Sequence, residues 1–458
     1  MWFRDDLRIT DHPALSAAMA AGPVIAVYIL DESSPGIRPL GAAARWWLHH
    51  ALDDLRSSLA GLGIPLLLRR GGAAQQLPEV LAAGDAGAVY WNRRYGGPER
   101  ALDTALKKRL AASGTTVHSF SGTLLHEPWV PLTQDGTPFK VFTPFYNALQ
   151  RLPLRPALPA PAPQERIAPD SMPGDDLAAW ELLPVSPDWS GGLAASWTPG
   201  EAAAHRRLAE VCELIAADYA QTRDRPDLDG TARLSPALRW GHLSPVQVWE
   251  ALGKALDAHP HAAPGARALM RQLVWRDFCW NLLYRQPLLP TRNMRPEFDA
   301  FDWAWPTDGP PGTAAQARVN DDFGAWCRGE TGFGLVDAGM RELWQTGWMH
   351  NRVRMVTASL LVKNLGIHWR AGEAWFWDTL VDADAAANPA NWQWVAGCGA
   401  DAAPYFRVFN PLLQAKKFDP QGTYVTRFAP LGLEPIVDLR ASRAAALDAY
   451  ARMKEQQH

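Results

Sequence analysis

The chain has 458 residues and a mass of 50.4 kDa, 47% of them apolar and 20% charged, which is material for two or three domains and excludes a peptide or a globally disordered chain. No stretch approaches the ~20 uninterrupted apolar residues that span a bilayer, and Met1–Arg8 runs into a charged segment with no apolar export signal, which points to the cytoplasm. The formal net charge of 45 − 48 = −3 excludes a polycation, while leaving room for basic residues gathered on one folded face.

Along the first part of the chain, short apolar or β-branched runs at 24–30, 64–68, 88–91 and 115–120 predict strands. Between them, 42–60, 74–83 and 99–112 carry helical spacing. Alternation of this kind predicts a doubly wound α/β parallel sheet over 1–130, and no GxGxxG follows a strand, so a nicotinamide dinucleotide site is unsupported there. Ten prolines between 151 and 200 mark 131–200 as a Pro-rich connector. After it, helical periodicity over 201–221, 245–257, 264–284, 334–365 and 371–381 predicts a mainly α-helical domain, 201–458.

The cysteines Cys212, Cys279, Cys327 and Cys398 form no CxxC pair and read as free thiols, with an iron-sulfur site gathered from distant positions as the sharper alternative. There are 22 tryptophans, 14 of them after position 200; a core built from large rings is the plain reading, and an aromatic cofactor pocket or stacked bases would also use them. Thr231–Pro236 (TARLSP) and Ser244-Pro245 each carry an N-cap and first-turn signal, which is plain capping or a phosphate site beside Arg233. Gly347–Met355 (GWMHNRVRM) is expected inside one helix running to Lys363, with Arg352 and Arg354 about 200° apart and His350 and Arg354 on one face. Asp382 and Asp384 lie among alanines and tryptophans, where carboxylates are costly unless a cation or N–H donor meets them; a metal site lacks a third close ligand.

With Trp2–Arg8 (WFRDDLR), Phe139–Phe145 (FKVFTPF), Gln272–Phe278 (QLVWRDF), Thr331–Gly334 (TGFG) and Thr357–Lys363 (TASLLVK), these clusters in this order resemble the photolyase/cryptochrome family over nearly the whole chain. Within it, the resemblance is to microbial class I cyclobutane pyrimidine dimer photolyases. That resemblance implies an α/β antenna domain, a helical domain holding U-shaped FAD, and light-driven electron transfer from reduced FADH⁻ to a flipped-out pyrimidine dimer in UV-damaged DNA. It further implies a monomer with no obligate protein partner and no membrane. Tyr219 and Thr231, Ala232, Arg233, Leu234 and Ser235 match FAD phosphate and ribose contacts; Arg354, Asp382, Ala383 and Asp384 match the flavin-ring segment; Asn388 matches the neighbour of flavin N5. Gln272, Trp275, Arg276, Asn351, Arg352, Met355 and Trp394 match the lesion cavity, with Arg223 and Arg407 as rim cations. Trp392 and Trp369 match the inner and middle members of the family's photoreduction tryptophans. Spacing back from Trp326 places the outer member on Gln316, and Trp303, before an insertion Pro306–Asn320, is the preferred choice over Trp305.

Several departures qualify the resemblance. Gln272 replaces the glutamate common in dimer photolyases and is also found in (6-4) photolyases, yet Asn351 and Met355 stand where those enzymes resemble one another in having histidines. A cryptochrome photoreceptor is the alternative of another class; the roughly 30 residues after Phe428 leave little room for a signalling tail, and plant and animal cryptochromes commonly place Asp or Cys at Asn388. Only Met1 precedes Trp2, so a trimmed first strand and a weakened sheet edge are expected. The antenna pigment, methenyltetrahydrofolate or a deazaflavin with the folate preferred, is expected against Gly41–Trp47 and Glu99.

Overall fold

The computed structural model describes residues 1–165, 172, 174–215, 217–258, 263–307, 311–402, 406–429 and 432–455. By packing, the chain forms two compact units: one of Met1–Phe139, Pro144–Ala217 and Ala232–Pro287, the other of Lys140–Thr143, Asp218–Thr231 and Leu288–His458. This division differs from the textural boundaries at 130 and 200. Composition distinguishes strand-rich from helix-rich stretches, but it does not say which core a helix joins, and 201–217 and 232–287 pack into the first unit.

The first unit carries β1 (Trp2–Phe3), β2 (Ala26–Leu30), β3 (Leu66–Arg70), β4 (Ala88–Asn92) and β5 (Thr116–Phe120), with crossover helices α1 (Pro13–Ala21), α2 (Ala42–Gly61), α3 (Ala73–Ala83) and α4 (Gly97–Ala112). All pairings are parallel, as the alternation predicts, but they form two ladders, β1–β2–β3 and β4–β5. The weakened edge expected at the N-terminus takes this form: β1 has only two residues, and side chains join it to β4. Trp2 meets Trp91 edge to face at 5.5 Å, and the Arg4 guanidinium caps the Asn92 carbonyl while holding Asp103 through two bonds of 3.0 and 3.1 Å. Arg8, 1% exposed, donates to the carbonyls of Thr10, Asp11, Gly122 and Gly241, which gives the charged start of the chain a structural use.

Further helices of this unit include α5 (Glu201–Glu210), α6 (Ser235–Arg239), α7 (Pro245–Ala258) and α8 (Ala263–Arg285), and a helix at Phe142–Leu149 lies within the expected connector. The helix expected over 201–221 ends sooner, passing into a π turn at Val211–Ile215. Ser244 caps α7 by accepting from Gln247 N at 3.0 Å, as expected. Ser235, by contrast, is the first residue of α6, whose cap position is Leu234. Between 150 and 200 the prolines leave short helical turns at Leu177–Trp180 and Gly191–Ser196, and residues 166–171 and 173 of the expected connector lie outside the described residues.

The second unit is helical: α9 (Ala314–Arg328), α10 (Gly334–Thr346), α11 (Asn351–Ser359), α12 (Trp369–Thr379), α13 (Ala387–Ala396), α14 (Pro411–Phe418), α15 (Thr423–Phe428) and α16 (Leu439–Glu455). Its core gathers Trp326, Trp369, Trp392 and Phe376 with aliphatic neighbours, so most of the tryptophans singled out here are packing residues too. The single helix expected over 334–365 is broken. Gly347, at φ 67°, ends α10 in the left-handed conformation, and His350 caps α11 by accepting from Arg352 N at 3.1 Å. The apolar period runs through the break because both helices bury the same core. His350 is therefore a cap, and the shared face with Arg354 does not form.

Asp277 on α8 is fully buried, accepting from the backbone N–H groups of Leu125 at 2.9 Å and His126 at 3.2 Å, and burial pushes it from its ordinary 3.8 up to about 7. Because the folded state binds this proton more tightly than the unfolded one, its contribution favours folding at low pH and is lost as pH rises from 3.8 through 7. Asp277→Asn is expected to gain stability relative to the parent by on the order of 2 kcal/mol between pH 5 and pH 8. Thermal melts of both proteins at the two pH values check this; a constant difference would refute it.

Candidate functional site

The described site residues are distributed over both units. On the second, Arg354 donates two parallel bonds to Asp382, at 3.1 and 2.9 Å, and a third from Nε to the Met349 carbonyl at 2.8 Å. Asp382 is 8% exposed, and this fork supplies the cation that its burial requires. Each of its carboxylate oxygens accepts from Arg354, so Asp382 orients the guanidinium. Ala383, between the two carboxylates, is buried.

Asp384 Oδ1 accepts from Ala386 N at 2.8 Å and Ala387 N at 2.5 Å, fixing the start of α13. Asn388, in the first turn of the helix, donates its amide NH₂ to both the carbonyl and the carboxylate of Glu373, at 3.1 and 2.8 Å. Only the NH₂ end can serve two acceptors, so the amide orientation is fixed and Oδ1 turns away from Glu373. Asn388 Oδ1 and Asp384 Oδ2 have no protein partner among the described residues, and both side chains are nearly buried, at 8% and 7%. A pair of preset, open acceptors fits the N–H edge of a reduced isoalloxazine. Glu373 carried no signal in the sequence; its role follows from packing of α12 against α13.

Trp392 lies on the same helix pair. A Cβ at Gly372 would come within 2.1 Å of its ring, so glycine there is what lets the indole lie against α12, three residues beyond Trp369. Trp392 also meets Phe376 at 5.0 Å and Trp326 at 6.1 Å, both edge to face. Trp369 is fully buried and donates to Asn293 Oδ1 at 2.8 Å. Trp303, expected as the surface member, is 8% exposed, whereas Trp305 is 44% exposed.

A cleft of about 540 Å³ opens beside α14 and is lined in part by Asp224, Arg225, Arg352, Lys417 and Phe418. Arg352 pairs with Asp224 at 3.0 Å and lies over the Phe418 ring at 4.5 Å, so it faces away from the Arg354–Asp382 pair as the helical angle predicts. Arg225, Lys417 and Phe418 were missed in the sequence; the run QAKKF at 414–418, basic residues beside an aromatic, is the signal that could have found the last two. Asn351 is exposed, 3.9 Å from Met355 Sδ through its amide. Arg407 is exposed with its guanidinium over Trp394 at 5.7 Å, and Arg223 stands over the buried Tyr219 at 5.8 Å.

The expected phosphate segment passes from the second unit, at Thr231, to the first, at Ala232. Ala232 and Leu234 are buried and Arg233 and Ser235 exposed, with Arg233 at φ 50° and the Ala232 carbonyl held by Arg207 Nε at 3.0 Å. On α8, Gln272 donates to its own helix at Ala268 O, 3.3 Å, and Trp275 meets Phe278 edge to face at 5.8 Å. Arg276, expected on the substrate, is instead committed to the Thr123 and Leu238 carbonyls at 2.7 and 3.3 Å. The antenna expectation is altered in a similar way: Trp46 and Trp47 are buried, and Trp47 donates to His242 Nε2 at 3.1 Å, so neither ring is open to a pigment.

Residues 1–164 match the DNA photolyase family, and residues 269–432 match the FAD binding domain of DNA photolyase. The deoxyribodipyrimidine photo-lyase of Agrobacterium fabrum is 44% identical over 99% of this chain and 98% of its own length. Cryptochrome-1 of Arabidopsis thaliana is 33% identical over 94% of this chain and 62% of its own. Among solved structures, a bacterial class III photolyase from Agrobacterium tumefaciens superposes with a TM-score of 0.89 at 43% identity, covering 99% of this chain and 97% of that one. Structurally the likeness is thus to class III, where the sequence motifs had suggested class I.

Gly372→Ala is expected to cost about 1–3 kcal/mol through overpacking against Trp392 and to loosen retention of any bound flavin. Thermal melting and near-UV circular dichroism check this; an unchanged melt would mean that the close approach is not a constraint.

Proposed function

The chain belongs to the photolyase/cryptochrome family, and we propose that it is a deoxyribodipyrimidine photo-lyase, a light-driven lyase that restores cyclobutane pyrimidine dimers in UV-damaged DNA to two pyrimidines. FAD, when bound, supplies the photoexcited electron and takes it back. The protein's own residues bind, orient and exclude water; none needs to be a nucleophile. Asn388 carries the reading. Its oxygen, set by Glu373, offers a neutral acceptor to a flavin N–H without placing another negative charge beside an electron donor. Asp384 offers a second acceptor, while Tyr219, Thr231, Arg233 and Ser235 are proposed as phosphate and ribose contacts on family grounds.

The lesion is proposed to leave the duplex stack, which costs least for bases already unstacked by damage. Gln272, Trp275, Asn351, Met355 and Trp394 are each proposed as lesion contacts on family grounds. Arg352, Arg225 and Lys417 line the cleft that would take backbone phosphate, with Arg223 and Arg407 as further cations. Photoreduction of the flavin is proposed to draw on Trp392 and Trp369. Methenyltetrahydrofolate is the proposed second chromophore on family grounds, seated elsewhere than on Trp46 and Trp47.

Reduced, anaerobic protein mixed with a thymine-dimer oligonucleotide is expected to restore the ultraviolet absorbance of the free pyrimidines under blue light, and to leave a (6-4) substrate unchanged because Asn351 and Met355 supply no histidine. Recovery on neither, with bound and reducible FAD, would favour the photoreceptor reading that the likeness to cryptochrome-1 keeps open. Asn388→Asp is expected to alter the redox behaviour of bound FAD and to lower repair by on the order of tenfold. A variant with unaltered redox titration would remove Asn388 from that role.

A further inference from the structure

Of the two tryptophans weighed for the surface end of the series, the one preferred from the sequence is the more buried. Trp303 is 8% exposed and sits against Phe298, Phe301 and His368, its indole N–H buried without a hydrogen-bond partner. Its N–H is thereby shielded from bulk solvent. Two residues on, Trp305 is 44% exposed and lies flat on the His368 imidazole, 4.0 Å between centroids and 21° between planes. The same imidazole meets the fully buried Trp369 at 5.6 Å and 33°. One ring therefore touches both a buried indole and an exposed one.

This arrangement is held from several sides. Ala304 N donates to Gly366 O and His368 N to Ala304 O, each at 2.9 Å, which sets residues 303–305 alongside 366–368. His368 is fixed as the cap of α12, its Nδ1 accepting from Arg370 N at 3.0 Å. Gln316, the position where family spacing would put the outer tryptophan, donates its amide to the Trp305 carbonyl at 2.9 Å. A residue from another segment thus occupies the neighbourhood that the spacing pointed to. Burial lowers His368 to about 4, so the bridging ring is neutral at neutral pH and does not oppose a positive charge beside it.

We propose that Trp305, not Trp303, is the surface terminus of photoreduction, and that His368 is the positioning residue whose ring couples it to Trp369. The inference rests on the photoreduction reading given above. One electron passes from Trp305 to oxidised Trp369, which becomes neutral indole again. Trp305 is left as a radical cation and releases its indole N–H proton to water; the Arg370 guanidinium, 5.6 Å from the ring, favours that loss because it repels the cation and not the neutral radical. A dissolved thiol then donates a hydrogen atom to the neutral radical, restoring the indole and leaving a thiyl radical, and two thiyl radicals combine to a disulfide.

The test follows FAD photoreduction in purified holoenzyme under blue light with excess thiol, and, after illumination in air without thiol, maps oxygenated tryptophan by peptide mass spectrometry. Trp305→Phe is expected to slow photoreduction by on the order of tenfold, and Trp305 to be the main oxygenated site in the parent protein. Two His368 variants separate the ring from the cap. His368→Asn keeps a capping side chain and loses the ring, and should be as slow as Trp305→Phe; His368→Phe loses the cap and keeps the ring, and should remain near the parent rate. The proposal is overturned if Trp303→Phe slows the reaction while Trp305→Phe does not, if oxygenation maps to Trp303, or if the two His368 variants behave in the opposite order. Trp369→Phe marks the other failure: an undiminished rate there would sink the series itself, independently of where it ends.

Discussion

The second unit is organised around the fork of Arg354 on Asp382. A carboxylate 8% exposed needs a cation with good geometry, and the guanidinium supplies two parallel bonds at 3.1 and 2.9 Å. Holding that fork fixes the first turn of α11 against the loop that enters α13, and the Val381 N–H bonded to the Gly347 carbonyl at 2.8 Å ties the same loop to the break before α11. Where α13 starts then sets the side chains proposed to face a ligand. Asp384 accepts from the N–H groups that open the helix, Asn388 lies in its first turn, and Trp392 one turn further along. Removing either partner would leave a buried charge without its counter-charge, which is more damaging than never having had the pair.

Much of this was legible in the sequence, and the exceptions have identifiable causes. Strand runs at 24–30, 64–68, 88–91 and 115–120 became β2–β5 within two residues at each end: β2 is a continuous buried apolar segment, while β5, exposed or half-buried throughout, was legible from its β-branched and aromatic residues. Pairing of Arg354 with Asp382 could be foreseen from the cost of burying carboxylates among alanines. The break at Gly347 could not be foreseen from periodicity, since α10 and α11 bury their apolar faces in one core. Arg276 illustrates a second limit: its motif predicts substrate contact, while the Thr123 and Leu238 carbonyls, remote in sequence, take its donors. Trp46 and Trp47 illustrate a third, because a ring available to a pigment and a ring in the core are written with the same letter.

Glu373 and His368 were missed for a related reason. Each acts through a neighbour: one selects which end of an amide faces outward, the other lays its ring against both the buried Trp369 and the exposed Trp305. Such roles depend on a hydrogen bond or a ring contact across helices, and a single sequence records neither. Trp303 and Trp305 are also separated by only one residue, so any spacing rule places both within its error. Exposure distinguishes them, and exposure here is set by Phe298 and Phe301 closing over one ring and not the other.

The two ligand-facing features of the second unit make opposite demands on charge, and the side chains meet both. Next to an electron donor the acceptor should be neutral, and Asn388 provides a carbonyl oxygen whose amide partner, Glu373, lies on the far side of it. Along the proposed photoreduction route the bridging His368 ring is neutral, and the Arg370 guanidinium lies 5.6 Å from the exposed Trp305. Charges placed earlier, within the core around Trp392 and Trp369, would act through a low effective dielectric and shift every step. That core is built instead from Phe376, Trp326 and aliphatic side chains. The abundance of tryptophan in this unit is therefore first of all a packing solution: large rings fill the volume between helices.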